Sequence, residues 1–243
     1  MITGQTRTRY LSILIGFLSM ASITTNISHA GLLNSGFTAT YEVTHKSIYL
    51  GDAVQTFKTL PNGNWEYKSD IKAKGFVSLF VKDSVTEVSE IKKIADGFQP
   101  ISYRYYQYGG KKEKKYTLIF DWVKGLINND YTKKTYPLEA STHDLLSFQI
   151  QLMHDLQQNK KSINYFIADK KRVGKYSLTL VKKMSLETPF KTMDTVEMIS
   201  NKIRDKMQFV IWSSPELNYL PVQIRKIEDD GDITELVLKS ITF

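Results

Sequence analysis

Few side chains in this sequence are spaced in a way that would support catalysis. His143 and Asp144 are adjacent, but no Gly-x-Ser-x-Gly turn supplies the serine that a hydrolytic triad would need. His45 and His154 belong to neither an H-E-x-x-H nor an H-x-x-E-H pair of the zinc-binding kind. No glycine-rich phosphate loop follows a predicted strand. We therefore predict no catalytic residue, no metal site and no cofactor.

Aromatic side chains at alternating positions form a more informative pattern. Tyr103 and Tyr105 share one face of a predicted strand, and Tyr116, Phe120 and Trp122 share one face of the next. Such stripes are typical of a protein core, and they also line the cavities of proteins that carry apolar ligands. Together with two residues of a predicted helix, they are the candidate lining of such a cavity: Tyr103, Tyr105, Tyr116, Phe120, Trp122, Phe148 and Leu152.

Most of the chain has the period of half-buried β-strands, in which apolar and polar residues alternate. Residues 37–43, with the sequence Phe-Thr-Ala-Thr-Tyr-Glu-Val, are one of about a dozen such segments. Turn sequences such as residues 61–64 and 229–232 join the segments and favour hairpins. The pattern predicts a mainly β protein whose antiparallel sheet is curled into a half-barrel or barrel-like shape.

One segment, residues 142–158, lacks this alternation and predicts the main α-helix. On a helical wheel its apolar residues cover roughly 200°, and the opposite, polar side consists of Ser147, Gln151, His154 and Gln158. So wide an apolar face must be covered, and we expect the helix to pack across the concave side of the sheet. A shorter helical turn is predicted at residues 75–80, which are too densely apolar for a half-exposed strand.

The first residues of the chain, 1–30, have the features of a signal peptide for export. Two arginines precede a short apolar run, and residues 28–30, Ser-His-Ala, place small side chains at the −3 and −1 positions of a cleavage site. We predict cleavage between Ala30 and Gly31, which leaves one β-rich domain, residues 31–243, in the periplasm. The sequence has no cysteine, so neither a disulfide nor a lipoprotein anchor is expected. No integral membrane span is expected after cleavage.

Basic residues exceed acidic ones. The formal net charge is +8, which falls to +6 once the two arginines of the signal peptide are removed. Paired lysines such as Lys133-Lys134 and Lys170-Lys171 are typical of solvated strand ends, but a basic surface could also meet anionic lipid headgroups or acidic polysaccharide. No nucleic-acid-binding motif is present, and we predict no nucleic acid partner.

A series of short segments carries a family resemblance over nearly the whole chain after residue 30. They are Trp65-Glu66-Tyr67-Lys68-Ser69, Ala73 to Phe80, Asp83 with Thr86-Glu87, Gly109 to Glu113, Phe120-Asp121-Trp122, Asp144 with Leu146-Ser147, Glu187-Thr188-Pro189, and Trp212 ahead of Leu220-Pro221-Val222. In this order they resemble a family of bacterial exported proteins known only as a domain of unknown function. The resemblance implies an envelope protein with a β-rich fold and no assigned enzyme activity. A looser similarity, in fold alone, is to periplasmic lipoprotein carriers, in which short helices cover a half-barrel.

These observations favour a non-enzymatic periplasmic protein that binds or carries an apolar or amphipathic ligand, such as a lipid. The alternative is a structural or interaction protein with a partner in envelope assembly, which a tightly filled interior would favour. A hydrolase of envelope polymers is the weakest alternative, because it needs two facing carboxylates that no distinctive sequence context indicates.

Overall fold

The alternating pattern folds into a single curled sheet. The computed structural model describes residues 31–74, 84–109, 113–201, 208–228 and 230–243, and within them the chain forms fifteen strands. The strands are β1 (Phe37–His45), β2 (Ile48–Thr59), β3 (Trp65–Ala73), β4 (Ser84–Ile94), β5 (Gly97–Tyr108), β6 (Lys114–Asp121), β7 (Leu126–Asn129), β8 (Lys134–Pro137), β9 (Thr142–His143), β10 (Ser162–Ala168), β11 (Val173–Glu187), β12 (Thr192–Asn201), β13 (Gln208–Ser214), β14 (Leu220–Ile227) and β15 (Ile233–Thr242). The helices are α1 (Leu32–Ser35), α2 (Ser147–Gln157) and a 3-10 turn (Pro215–Leu217).

The sheet consists of two meanders joined side by side. Its strand order is β8-β7-β6-β5-β4-β3-β2-β1-β15-β14-β13-β12-β11-β10-β9, and every pair is antiparallel except β9–β10. Because antiparallel neighbours connect at alternate edges, the β1–β2, β7–β8, β10–β11 and β14–β15 turns share one edge, which we call the upper edge. The β2–β3, β4–β5, β6–β7 and β11–β12 turns share the opposite, lower edge.

The two ends of the sheet meet, which gives the predicted barrel-like shape. The side-chain amide of Asn129 in β7 donates to the carbonyl oxygens of Asp169 and Lys170, at 3.4 and 3.1 Å. The Tyr136 hydroxyl in β8 donates to the carbonyl of Lys171, at 2.8 Å. We call this junction of β7 and β8 with the β10–β11 turn the seam. The predicted class, a mainly β curled antiparallel sheet with one main helix, is confirmed, and β8 and β9 are additional short strands that alternation could not indicate.

The main helix begins five residues later than predicted, at Ser147 instead of Thr142. Residues 142–143 instead form β9, in which Thr142 pairs with Phe166 of β10. The reason is Asp144, whose Oδ1 accepts the backbone N–H groups of Leu146 and Ser147 at 2.8 and 2.9 Å and so satisfies the first turn of the helix there.

The polar side of α2 is also more buried than its pattern predicts. Ser147 and Gln151 are buried and His154 is half-buried, with its ring edge-on to Phe98 at 6.1 Å. Gly97 permits this close approach, because a β-carbon there would overlap the Gln151 amide. The sheet therefore encloses α2 on nearly all sides instead of covering one face.

The interior is filled by two apolar clusters. One lies against β1 to β7 and includes Phe57 stacked on Trp65, with ring centroids 4.5 Å apart. The other surrounds α2 and includes Leu152, Tyr165 and Ile211. Most of the volume inside the sheet is therefore core.

Two predicted segments lie outside the described residues: the signal peptide, residues 1–30, and the helical turn at residues 75–80. Both stay predictions. None of the helices in the described part of the chain is long and apolar enough to cross a bilayer.

Candidate functional site

A half-open cavity interrupts the core near the upper edge. It lies between the start of α2 and the upper halves of β3, β4, β13, β14 and β15, and its volume is about 160 Å³. Its apolar lining consists of Ile71, Leu145, Leu146, Phe148, Phe209, Ile224 and Leu236, and its polar lining of Gln55, Ser69, Glu87, Gln149, Lys226 and Thr234. A cavity of roughly 150 Å³ with such apolar walls can hold a ligand the size of benzene, whereas drug-sized sites take roughly 300–1,000 Å³. It therefore fits one small apolar group.

Glu87 on β4 is the carboxyl group of the cavity wall. Its Oε1 accepts a hydrogen bond from the hydroxyl of Tyr103, which is fully buried behind it. Burial raises the pKa of Glu87, and the negative charge of Asp144 adds to the rise. The Tyr103 hydrogen bond and the positive charge of Lys226 act in the opposite direction. The carboxyl is thus partly desolvated and has one strong donor.

Lys226 on β14 provides the positive charge of the cavity wall. Its ammonium group forms an ion pair with Glu228 at 2.5 Å, and both side chains are partly exposed. The cavity therefore has hydrocarbon at its centre, and Glu87 and Lys226 provide charged groups of opposite sign in its wall.

A second polar group at the cavity is a chain of neutral side chains. The Tyr67 hydroxyl donates to Gln55 Oε1 at 2.5 Å and lies 3.5 Å from Gln149 Oε1. Gln149 in turn donates to the carbonyl of Leu145, at 3.0 Å. Burial raises the pKa of Tyr67, so its hydroxyl remains a neutral donor.

Asp144, predicted to lie at a helix start, is a structural residue. Its Oδ2 accepts the hydroxyls of Ser89 and Ser147, at 2.7 and 2.9 Å, in addition to the two backbone N–H groups on Oδ1. Burial raises its pKa although these four hydrogen bonds lower it. No serine hydroxyl in the described part of the chain hydrogen-bonds to the neighbouring His143, so these residues form no hydrolytic triad.

The predicted cavity lining is divided between cavity and core. Phe148 lines the cavity, and Tyr103 lies one step behind it through Glu87. The remaining five do not border this cavity: Tyr105, Tyr116, Phe120, Trp122 and Leu152. Leu152 is fully buried in the cluster around α2, and Tyr105 stacks on Tyr116 with centroids 5.1 Å apart. Contact of any of these residues with a ligand stays a prediction.

Sequence reasoning missed Glu87, Lys226, Leu145, Ile224 and Leu236. They come from β4, β14, β15 and the turn before α2, which lie far apart in the chain. No local spacing connects them. The raised density of apolar residues at the start of the helix was the one available signal.

A polar cleft of about 600 Å³ lies at the other end of α2, near the lower edge. Asp155 is buried at its base and accepts three hydrogen bonds: from Tyr165 at 2.7 Å, from Gln151 at 3.0 Å and from Lys160 at 2.7 Å. This carboxylate is therefore fully engaged with protein donors.

His143 also lines this cleft and is 4 % exposed. Its Nδ1 has no hydrogen-bond partner among the described residues, and its ring lies edge-on to Tyr165 at 5.4 Å. Burial lowers the pKa of His143 to about 4, against the opposing effect of the Asp155 charge. The imidazole is therefore neutral at neutral pH.

A third concavity, of about 720 Å³, lies on the outside of β11 and β12 beside the 3-10 turn. Its charged residues are exposed, and Glu216 is paired with Lys191 at 2.9 Å. It has no buried ionisable group. Within the described ranges, no three His, Asp or Glu side chains are grouped as metal ligands.

Comparison with known proteins gives a family but no activity. The model of a family described as "Protein of unknown function (DUF3108)" matches residues 40–238. No curated protein matches the chain.

One solved structure supports the fold. A β-barrel-like protein of a domain of unknown function, DUF1849, from Brucella abortus superposes with a TM-score of 0.57 at 12 % sequence identity, over 86 % of this chain and 98 % of that one. A candidate lipoprotein from Parabacteroides distasonis gives a TM-score of 0.32 at 13 % identity, over 86 % of this chain and 95 % of that one. The first similarity shows the barrel-like fold.

Proposed function

Because the chain belongs to the DUF3108 family of proteins of unknown function, we propose a function from its interior: it binds one short apolar group of an amphipathic ligand in the cavity beside α2. The observation that carries the proposal is the combination of apolar walls with Glu87 and Lys226 in the same lining. Such a wall suits a molecule with a hydrocarbon part and a polar end.

The size of the cavity limits what part of a ligand it holds. At about 160 Å³ it accommodates a benzene-sized group or the end of one acyl chain, and not a whole lipid. The proposal is therefore binding of a chain end, with the rest of the ligand outside the sheet.

The predicted signal peptide supports a periplasmic location, where such a protein would meet envelope lipids. The absence of cysteine supports an unlipidated, soluble form. Both parts of the proposal rest on sequence alone.

The second candidate function is a structural or interaction protein of the envelope. The observation in its favour is the filled lower half of the interior, where Ile150, Leu152 and Met153 of α2 are completely buried. A protein of this kind would bind no apolar ligand.

Calorimetry with straight-chain 1-alkanols of increasing length tests the first proposal. Each added methylene should strengthen binding about fourfold, because burying a CH₂ group contributes about 0.8 kcal/mol, until the cavity is full and the gain stops. Alkanols are neutral, so their affinity reports the apolar walls without repulsion from Glu87.

A matched pair of variants locates the binding. Leu145 lines the cavity and is half-buried, so Leu145→Trp should occupy part of the cavity and weaken alkanol binding at least tenfold. Leu180 is also half-buried but packs outside the cavity, and Leu180→Trp should bind as the unchanged protein does. Absence of alkanol binding, or equal effects of the two variants, would favour the interaction protein.

A further inference from the structure

A cluster of positive charge lies at the seam, on the same upper edge as the cavity. We call Lys133, Lys134, Lys170, Lys171 and Arg172 the seam patch. They come from the β7–β8 and β10–β11 turns, which the hydrogen bonds of Asn129 and Tyr136 hold together. Two turns that are distant in sequence thus form one surface.

The positive charge of the seam patch is poorly neutralised. Residues 130–134 and 169–172 contain five basic and two acidic residues. Asp130 accepts the backbone N–H of Thr117 at 2.7 Å, and Asp169 accepts those of Lys171 and Arg172 at 2.7 and 3.0 Å. Two carboxylates thus stand against five basic groups, and Arg172 Nε lies 3.8 Å from Asp169 Oδ2.

Three lysines of the seam patch point to an external partner. Lys133, Lys134 and Lys171 are exposed, and they form no ion pair within the described part of the chain. Their charges therefore remain available to an anionic partner.

A ladder of tyrosine rings connects the seam patch with the cavity. Tyr103, which binds Glu87, lies 5.9 Å from Tyr116, whose ring lies 6.3 Å from that of Tyr131. The ammonium group of Lys170 lies over the Tyr131 ring, 4.2 Å from its centroid. The buried rings of Tyr103 and Tyr116 thus connect the cavity wall with the exposed ring of Tyr131 beside the seam patch.

We propose that the seam patch docks the protein on the anionic surface of a lipid bilayer and thereby turns the upper edge towards the membrane. Tyr131 favours a bilayer over an acidic polysaccharide, because its half-exposed ring among the lysines suits the boundary between headgroups and water. The further step, that the apolar ligand comes from this bilayer, rests on the proposed function. The docking itself does not.

Vesicle flotation with the exported, processed protein tests the docking. Phosphatidylcholine vesicles containing phosphatidylglycerol should bind the protein at low salt and release it at high salt, and vesicles of phosphatidylcholine alone should not bind it. The triple substitution Lys133→Gln, Lys134→Gln and Lys171→Gln should weaken binding about a hundredfold, since each lysine near an anionic bilayer contributes about fivefold.

The matched control removes the same charge elsewhere. Lys92, Lys161 and Lys183 are exposed, lie away from the upper edge and form no ion pair within the described ranges. Their triple substitution by glutamine should leave vesicle binding within a few-fold of the unchanged protein. Equal losses in both triple variants would show a net-charge effect and overturn the docking surface.

Other outcomes also decide between the proposals. Equal binding to neutral vesicles, no vesicle binding, or tighter binding to soluble polygalacturonate than to anionic vesicles would each overturn bilayer docking. Alkanol binding that persists in the seam triple variant would leave the proposed function intact after such a failure. Vesicle binding without alkanol binding would retain the docking and reject the ligand cavity.

Discussion

The carboxyl groups near the two ends of α2 differ in the number of hydrogen-bond donors that the protein provides. Near the lower edge, Asp155 has three donors, all from the protein, and the charge is tied to its neighbours. Near the upper edge, Glu87 has one strong donor, Tyr103, and faces an apolar cavity. The number of protein partners thus separates a carboxylate that builds the fold from one that is available to a ligand.

This contrast also explains why the larger concavity is not the preferred site. The lower cleft exceeds the cavity in volume, at about 600 against about 160 Å³. Its buried acid is already satisfied, however, so a ligand there would have to compete with Tyr165, Gln151 and Lys160. A ligand in the smaller cavity would not have to displace these donors.

Removal of the Asp155 carboxylate should have the largest effect on stability. Asp155→Ala leaves the buried Tyr165 hydroxyl without an acceptor and the Gln151 amide with only the Asp96 carbonyl, at 3.5 Å. We expect a loss of about 3–5 kcal/mol in the free energy of unfolding. Urea unfolding followed by circular dichroism measures it. Asp155→Asn, which keeps an acceptor, should lose less, and the exposed Asp96→Ala should change the free energy by less than about 0.5 kcal/mol.

An Asp155→Ala protein as stable as the Asp96→Ala control would contradict the structural role of Asp155. It would mean that the lower network is no more structural than the cavity wall. Alkanol binding should be unchanged in Asp155→Ala wherever the variant is folded, because Asp155 does not line the cavity.

His143 should make the lower end sensitive to acid. Its pKa is lowered to about 4 in the folded state, against about 6.5 in the unfolded chain. Between these values the unfolded chain binds the proton and the folded protein does not, so its stabilising contribution is present above about pH 6.5 and is lost as the pH falls through about 4. The total effect is about 3 kcal/mol.

Comparison of the unchanged protein with His143→Gln isolates this contribution. The difference between their free energies of unfolding should change by about 3 kcal/mol between neutral pH and pH 4, in the direction of a less stable native protein at acid pH. Two parallel stability curves would show that the imidazole titrates alike in both states. That result would contradict the prediction that His143 makes the lower end sensitive to acid.

The sequence predicts the strands well and the site poorly, for one physical reason. Alternation over residues 37–43 reports which face of β1 is buried, and the structure has this strand at Phe37–His45 with the same alternation. Pairing of β1 with β15, which brings Glu87 of β4 and Lys226 of β14 to the same cavity, is decided by contacts between residues far apart in the chain. A cavity is what such pairing leaves unfilled, so Glu87 and Lys226 carry no local signal.

The misplaced start of α2 has a similar origin. Thr142 fits a helix-start pattern, but it pairs with Phe166 in the sheet. Asp144 instead accepts the free backbone N–H groups at the start of the helix. Two local preferences competed, and the tertiary contact decided between them.

Glu87 should give the smallest effect, with a sign opposite to that of His143. Burial raises its pKa, so the folded protein keeps this proton to a higher pH than the unfolded chain does. The contribution to stability is therefore full below the unfolded value of about 4.3 and is lost as the pH rises through the folded value. Glu87→Gln stays neutral and still accepts the Tyr103 hydroxyl, and it should become progressively more stable than the unchanged protein above about pH 4.3.

The affinity for a ligand should depend on the protonation state of Glu87. Acidification neutralises Glu87 and makes the cavity wall less polar, so 1-alkanols should bind the unchanged protein more tightly at acid than at alkaline pH. Affinity for Glu87→Gln should not vary with pH over this range. A pH-independent affinity in the unchanged protein would place Glu87 with the structural groups and remove the distinction between the two ends of α2.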